Sequence, residues 1–150
     1  MIKKIFAPAR SSASINLALL VLRLWIGLSM LLNHGLGKLK DFNTMAPNFP
    51  DPLGIGHTAS LALAVFAEFF ASLLLIAGLV TRWSALVLAT DMTVAFVGVH
   101  KTVLTGPHGG ELAFLYLMGY VTLLLAGPGV VSLDKALFGK GGAKRGAGGA

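Results

Sequence analysis

The sequence predicts an all-α integral membrane protein built as a bundle of four transmembrane helices. Of its 150 residues, 55% are hydrophobic and only 12% are charged, whereas soluble domains carry about 25% charged residues. The mean hydropathy is +0.80. None of the apolar stretches shows the alternating pattern of an outer-membrane β-barrel strand. The stretches occupy residues 15–33, 58–80, 83–99 and 112–127.

The first stretch, residues 15–33, follows three basic residues, as the apolar core of a secretory signal peptide does. Its apolar run is longer than the usual length of about 7 to 15 residues. It also ends in Asn33-His34-Gly35 rather than at a small-residue cleavage site. We therefore predict a retained transmembrane helix.

The other three stretches are judged against the length of about 20 residues that crosses a bilayer. Residues 58–80 are long enough, residues 83–99 are adequate and residues 112–127 are short. We predict that the helices form one membrane domain, residues 1–138. Residues 139–150 are rich in glycine and basic residues, so we expect a flexible tail that has too few apolar side chains to fold.

Four helices place both termini on the same side of the membrane. That side holds eight basic residues and the opposite loops hold three, so the positive-inside rule predicts cytoplasmic termini. We expect the chain in the cytoplasmic (inner) membrane of a bacterium or archaeon. The net charge of +6 is explained by this topology and by anionic lipid headgroups, and no nucleic-acid partner is expected. The eight are Lys3, Lys4, Arg10, Arg82, Lys135, Lys140, Lys144 and Arg145, and the three are Lys38, Lys40 and Lys101.

Three ionisable residues, Arg23, Glu68 and Asp91, lie near the middle of three different apolar stretches. A charge at that depth costs at least about 2.5 to 3.5 kcal/mol, so each should face a partner rather than lipid. We predict that Arg23 is paired with Glu68, Asp91 or both. Two interpretations remain open: a structural charge network that fixes helix packing, or a proton relay or quinone-facing acid in which Glu68 and Asp91 are catalytic.

A second group of polar residues marks the predicted outer ends of the helices. His34 and Lys38 are four residues apart and share a helix face, and His100 and Glu111 flank the second outer loop. Imidazole and ammonium groups donate hydrogen bonds to quinone carbonyls, and a histidine beside a carboxylate exchanges protons near neutral pH. We predict that these four residues bind a ligand, with Glu111 also catalytic. The alternative is a set of polar helix ends at the membrane interface.

The composition also limits the cofactors. The chain has no cysteine, which excludes disulfide exchange, thiolate metal sites and covalent haem attachment. The four histidines and Glu111 match no metal-ligand spacing, so no metal is predicted. No flavin or nicotinamide fingerprint is present. Any redox role therefore uses a non-covalently bound cofactor such as a quinone, or another subunit.

Several short motifs follow one another along the chain: Arg23-Leu24, His34-Gly35-x-x-Lys38-Leu39, Ala67-Glu68-Phe69, Gly78-Leu79-x-Thr81-Arg82, Ala85, Met92, Ala95, His100, Gly110-Glu111, Tyr116-Leu117 and Gly127-Pro128-Gly129-x-x-Ser132-Leu133-Asp134. Taken in this order, they resemble the motifs of the DoxX family of small four-helix membrane proteins. The resemblance covers nearly everything except the two ends of the chain. It implies a membrane component of an oxidoreductase system, such as quinone-linked thiosulfate oxidation, and relatives of this family are also associated with the handling of quinones or catechols.

The predicted function is therefore a DoxX-like subunit of a quinone-linked oxidoreductase system that binds a quinone or similar small ligand near the outer face. As an enzyme it is at most an oxidoreductase subunit that depends on a protein partner for electrons. The alternatives are a non-catalytic scaffold or assembly subunit of a larger membrane complex and a small transporter. The sequence leaves open the electron donor, the substrate, the partner subunits and whether the chain forms a homo-oligomer.

Overall fold

The computed structural model describes residues 12–138, and this part of the chain is all-helical, with no β-strand. Three of its helices are long and apolar enough to cross a membrane, and the fourth is apolar but has only 16 residues. The predicted fold class, an all-α membrane bundle, is confirmed. The helices are α1 (Ser12–Lys40), α2 (His57–Ala77), α3 (Thr81–Val99), α4 (Glu111–Ala126) and the short α5 (Leu133–Phe138).

The loop between α1 and α2 contains two short helical turns, Phe42–Met45 and Ala46–Asn48. Helices α2, α3 and α4 begin and end within three residues of the predicted boundaries. Helix α1 continues seven residues past the predicted end at residue 33. The predicted flexible tail, residues 139–150, lies outside the described residues.

The core of the bundle lies between α1, α2, α3 and α4, with α3 and α4 forming the most extensive helix pair. Six large apolar side chains from these four helices are at most 1% exposed: Met30, Leu61, Leu75, Leu88, Tyr120 and Leu123. Many apolar side chains on the outer surface are exposed, among them Trp25 and Leu125, which are 76% and 74% exposed. Exposed apolar side chains all around a bundle are expected where lipid, rather than water, is the solvent.

The two ends of the bundle differ in their connections. One end, here called the turn end, holds the first turn of α1, the short α2–α3 connection and the segment after α4. At this end the Asp134 carboxylate accepts hydrogen bonds from the backbone N–H groups of Val80 (2.7 Å) and Thr81 (2.9 Å). The Asn16 side chain accepts one from the N–H of Val130 at 2.9 Å. The opposite end, here called the loop end, holds the longer loops at residues 41–56 and 100–110.

Arg23 is bound at the turn end, and the prediction that it pairs with Glu68 or Asp91 is wrong. Its Nη1 and Nη2 atoms donate hydrogen bonds to the backbone carbonyl oxygens of Pro128 (2.7 Å) and Val131 (2.8 Å). The segment after α4 is irregular, so its carbonyl groups have no helical partners and need donors from elsewhere. A buried guanidinium supplies several donors at once, and its side chain is 2% exposed here.

Candidate functional site

A cavity of about 570 Å³ lies in the loop-end half of the bundle, between α2 and α3 and under the α1–α2 loop. This volume falls within the range of about 300 to 1,000 Å³ that is typical of small-molecule sites. The walls are mostly apolar, which is also typical of such sites. Six polar residues interrupt them: Lys38, Ser60, Glu68, Thr90, Asp91 and His100.

Part of the cavity wall faces the surrounding lipid. Leu63, Phe66 and Leu86 line the cavity and are 54%, 54% and 41% exposed. These residues belong to α2 and α3, which are both long enough to cross the membrane. A hydrophobic ligand dissolved in the bilayer therefore reaches this wall without passing through water.

The ion pair between Lys38 and Glu68 is the main polar feature of the cavity. Lys38 Nζ lies 2.6 Å from Glu68 Oε1 and also contacts Oε2. The side chains of Lys38 and Glu68 are only 17% and 6% exposed. The extension of α1 past residue 33 carries Lys38 to this position, because the backbone of Gly35 packs directly against the backbone of α2 at Glu68. A methyl group at Gly35 would overlap the Glu68 carbonyl.

Asp91 contributes a second carboxylate from α3. It lines the cavity, and its Oδ2 atom is buried without a hydrogen-bond partner among residues 12–138. Asp91 lies within electrostatic range of both Glu68 and Lys38. The cavity therefore combines one ammonium group with two carboxylates, a set that can donate, accept and exchange protons.

Three π-helical turns occur at the same half of the bundle, one in each of the long helices. They span Leu31–Gly35 in α1, Phe66–Ala71 in α2 and Ala95–Val99 in α3. A π-helical turn inserts an extra residue per turn, redirects the side chains around it and is frequent at functional sites. Glu68 lies within the second of these turns. Nothing in the residue pattern predicts them, because they contain neither proline nor a shared motif.

The loop over the cavity is held by Asp51 and contributes residues 49, 50, 52 and 53 to the lining. The Asp51 carboxylate accepts hydrogen bonds from Ser60 Oγ (2.7 Å) and from the N–H groups of Ile55 (3.1 Å) and Gly56 (2.8 Å). The hydrogen bond from Ser60 is the main reason why the pKa of Asp51 lies below its ordinary value. This loop, residues 49–56, is here called the roof of the cavity. Its conformation is therefore stabilised by contacts within the chain.

Only two of the four residues that were predicted to bind a ligand line the cavity. Lys38 and His100 line the cavity together with Glu68 and Asp91. His34 does not line it, and its ring packs edge-on against Tyr116 with the ring centres 5.8 Å apart. Glu111 is exposed at the start of α4 and is also absent from the lining. The cavity thus lies deeper than the predicted outer rim.

Two stacked tyrosines on α4 were not anticipated. The rings of Tyr116 and Tyr120 are 6.0 Å apart and nearly parallel. The Tyr116 hydroxyl shares a hydrogen bond of 2.5 Å with Ser29 Oγ. The Tyr120 hydroxyl is buried without a partner among residues 12–138 and lies within electrostatic range of Asp91. Aromatic residues at this spacing also occur in ordinary helix cores, so no signal in the sequence distinguishes Tyr120.

Comparisons with known proteins identify the family. The DoxX family model matches residues 18–101. The chain is 33% identical over 116 residues to an uncharacterised protein of Haemophilus influenzae, an alignment that covers 74% of this chain and 84% of that protein. No solved structure matches the chain. With its membrane-spanning helices and this match, the chain belongs to the DoxX family and is a multi-pass membrane protein.

Proposed function

We propose that this protein is a redox-associated membrane subunit that binds a quinone in the cavity between α2 and α3. The observation that carries the proposal is a mostly apolar cavity of about 570 Å³ that contains the Lys38–Glu68 ion pair and Asp91 and borders the lipid. A quinone combines an apolar ring and tail with polar oxygen atoms, and it dissolves in the bilayer. Both properties fit a cavity whose polar groups lie behind a lipid-facing apolar wall.

In this proposal the polar residues of the cavity orient the quinone head. An ammonium group has three donor hydrogens, so Lys38 keeps one for a ligand oxygen while it contacts both oxygens of Glu68. His100 lies at the loop-end side of the cavity, where its Nδ1 atom is 2.9 Å from the carbonyl oxygen of His108. Because a carbonyl oxygen only accepts, Nδ1 is the donor, and in this tautomer the second ring nitrogen, Nε2, is an acceptor that suits a hydroxyl of the reduced ligand. Phe66 and Leu86 pack against the ring or tail.

The chain supplies binding groups and acid–base groups, and the proposal assigns electron transfer to a protein partner. The sequence contains no cysteine and no nucleotide-binding fingerprint. The bound quinone would supply the redox chemistry itself. The protein is then a quinone-binding subunit of a membrane redox complex, not an oxidoreductase by itself.

Orientation is part of the proposal. The eight-to-three distribution of basic residues favours a cytoplasmic turn end, which places the cavity in the outer half of a bacterial or archaeal cytoplasmic membrane. A reporter enzyme fused after Ala150 is expected to remain cytoplasmic. A periplasmic signal from that fusion contradicts the orientation.

The binding proposal is tested with a decyl-tailed benzoquinone and the purified protein in detergent. Leu63 lines the cavity, so Leu63→Trp is expected to fill part of it and lower the affinity by about tenfold or more. Leu73 is an exposed leucine on the same helix that does not line the cavity, so Leu73→Trp is the matched control and should bind as the wild type does. Equal affinity in the two variants contradicts binding in this cavity and favours the scaffold alternative.

A further inference from the structure

The cavity offers a ligand two different hydrogen-bonding groups, the ammonium group of Lys38 and the carboxyl group of Asp91. Lys38 has one donor hydrogen left after its contacts with Glu68. Asp91 has a buried Oδ2 atom without a partner among the described residues. Leaving a buried polar atom unpaired is costly, so this atom is a strong point of attachment for a ligand. The cavity therefore presents a fixed donor on one side and a carboxyl group on the other.

These two groups treat the two oxidation states of a quinone differently. A quinone carries two carbonyl oxygens, which only accept hydrogen bonds, whereas its hydroquinone carries two hydroxyls, which donate and accept. Lys38 can donate to either form. An ionised Asp91 only accepts, so it pairs with a hydroxyl and repels a carbonyl. A protonated Asp91 donates, so it pairs with a carbonyl.

We propose that the oxidation state of the ligand sets the protonation state of Asp91. The proposal rests on the quinone site described above. When the quinone binds, one proton from solution is taken up, and an O–H bond forms on Asp91 and donates to the ligand carbonyl. When the hydroquinone binds, a proton present on Asp91 is released to solution, and the ionised carboxylate accepts a hydrogen bond from a ligand hydroxyl. No electron moves in either binding step.

Asp91 is the carboxyl group of the cavity that forms no ion pair among the described residues. From α1 and α2 it faces Lys38 and Glu68, whose charges already compensate each other in their ion pair. From α4 it faces Tyr120, and His100 lines the same cavity at the loop end of α3. A proton placed on Asp91 leaves the Lys38–Glu68 pair intact, whereas a proton placed on Glu68 breaks it. The geometry thus favours proton exchange at Asp91.

The test measures the affinity of the purified protein for a decyl-tailed benzoquinone and for its hydroquinone, without oxygen and from acidic to neutral pH. Above the pH at which Asp91 titrates, the quinone should bind more weakly, by up to about tenfold per pH unit. Below that pH, the hydroquinone should bind more weakly, again by up to about tenfold per pH unit. The two forms therefore show opposite pH dependences in the wild type.

Two variants assign the effect to Asp91. Asp91→Asn keeps the size of the side chain but cannot titrate, so both pH dependences should disappear. Tyr116→Phe is the control, because the Tyr116 hydroxyl already shares a hydrogen bond with Ser29. This variant should keep both pH dependences. Affinities that do not depend on pH in the wild type, or pH dependences that persist in Asp91→Asn, overturn this inference while leaving the quinone site in place. Failure of both ligand forms to bind contradicts the proposed function itself.

Discussion

At the turn end of the bundle, the charged side chains of Arg23 and Asp134 bind backbone groups of the chain, whereas in the loop-end half charged side chains line a cavity. Arg23 donates to the carbonyl groups of Pro128 and Val131, and Asp134 accepts from the backbone of α3. In the loop-end half, Glu68 pairs with a side chain from another helix, and Asp91 has an oxygen atom without a partner among the described residues.

This difference shows that a charged residue inside an apolar helix can have either a structural or a functional role. The turn end uses buried charge to fasten an irregular segment onto the helices, which is a structural role. The loop-end half leaves hydrogen-bonding groups next to a cavity of about 570 Å³, which supports the proposed binding site. The two interpretations that the sequence left open thus apply to different residues: the structural one to Arg23, and the functional one, as a proposal, to Glu68 and Asp91.

The largest effect is expected at the turn end. Arg23→Ala removes two hydrogen bonds from a buried charged group, and each such bond contributes about 1.5 to 3 kcal/mol, so a loss of about 3 to 6 kcal/mol in unfolding free energy is expected. Unfolding in detergent measures it. Arg82→Ala is the control, because Arg82 is exposed and has one longer bond, of 3.3 Å, to Leu125. Equal losses in the two variants would remove the special role of Arg23.

The next effect concerns the helix crossing that carries Lys38 to the cavity. Gly35→Ala places a methyl group against the Glu68 backbone, and overpacking of this kind costs about 1 to 3 kcal/mol. Unfolding in detergent should show this loss, and quinone binding should weaken because Lys38 is displaced. Gly37→Ala is the matched control, since no atom lies within 4 Å of its added methyl group. A Gly35→Ala protein as stable as Gly37→Ala contradicts the close crossing.

The smallest effect concerns the roof of the cavity and depends on pH. The pKa of Asp51 is lowered in the folded protein, chiefly by Ser60, so its ionised form stabilises the roof above the ordinary pKa of 3.8. This stabilisation is lost as the pH falls through the lowered pKa. Proteolysis of residues 49–56 should therefore accelerate in acid. Asp51→Asn should be cleaved faster near neutral pH with little further change in acid, whereas Asp41→Asn, an exposed carboxylate outside the roof, should follow the wild type.

The sequence predicted the fold because the hydropathy and the length of each apolar segment are local properties of consecutive residues. It placed three helices within three residues but ended α1 too early, at residue 33. The extension through Gly35 and Lys38 is stabilised by contacts with α2, in particular the ion pair with Glu68. Such contacts between distant parts of the chain leave no local pattern in the sequence.

The candidate site was only partly predictable for the same reason. Lys38, Glu68, Asp91 and His100 were singled out because polar residues in apolar helices are unusual, and the structure brings them into one cavity. The predicted pairing of Arg23 with Glu68 or Asp91 was wrong, since the partners of Arg23 are backbone carbonyls more than 100 residues away. The roof over the cavity and the π-helical turns depend on tertiary packing that spacing and residue type do not encode.

Photoaffinity labelling locates the ligand relative to α2 and α3. A decyl-tailed benzoquinone that carries an azide would be bound, irradiated and located by mass spectrometry of the labelled peptides. If the ligand lies between α2 and α3, the label is expected on the cavity walls, residues 60–68 and 86–100, and unlabelled quinone should protect them. A second groove on α1, formed by residues 14–25, offers a contrasting surface. Labelling of that groove, with none on α2 and α3, would show that the ligand binds outside the cavity.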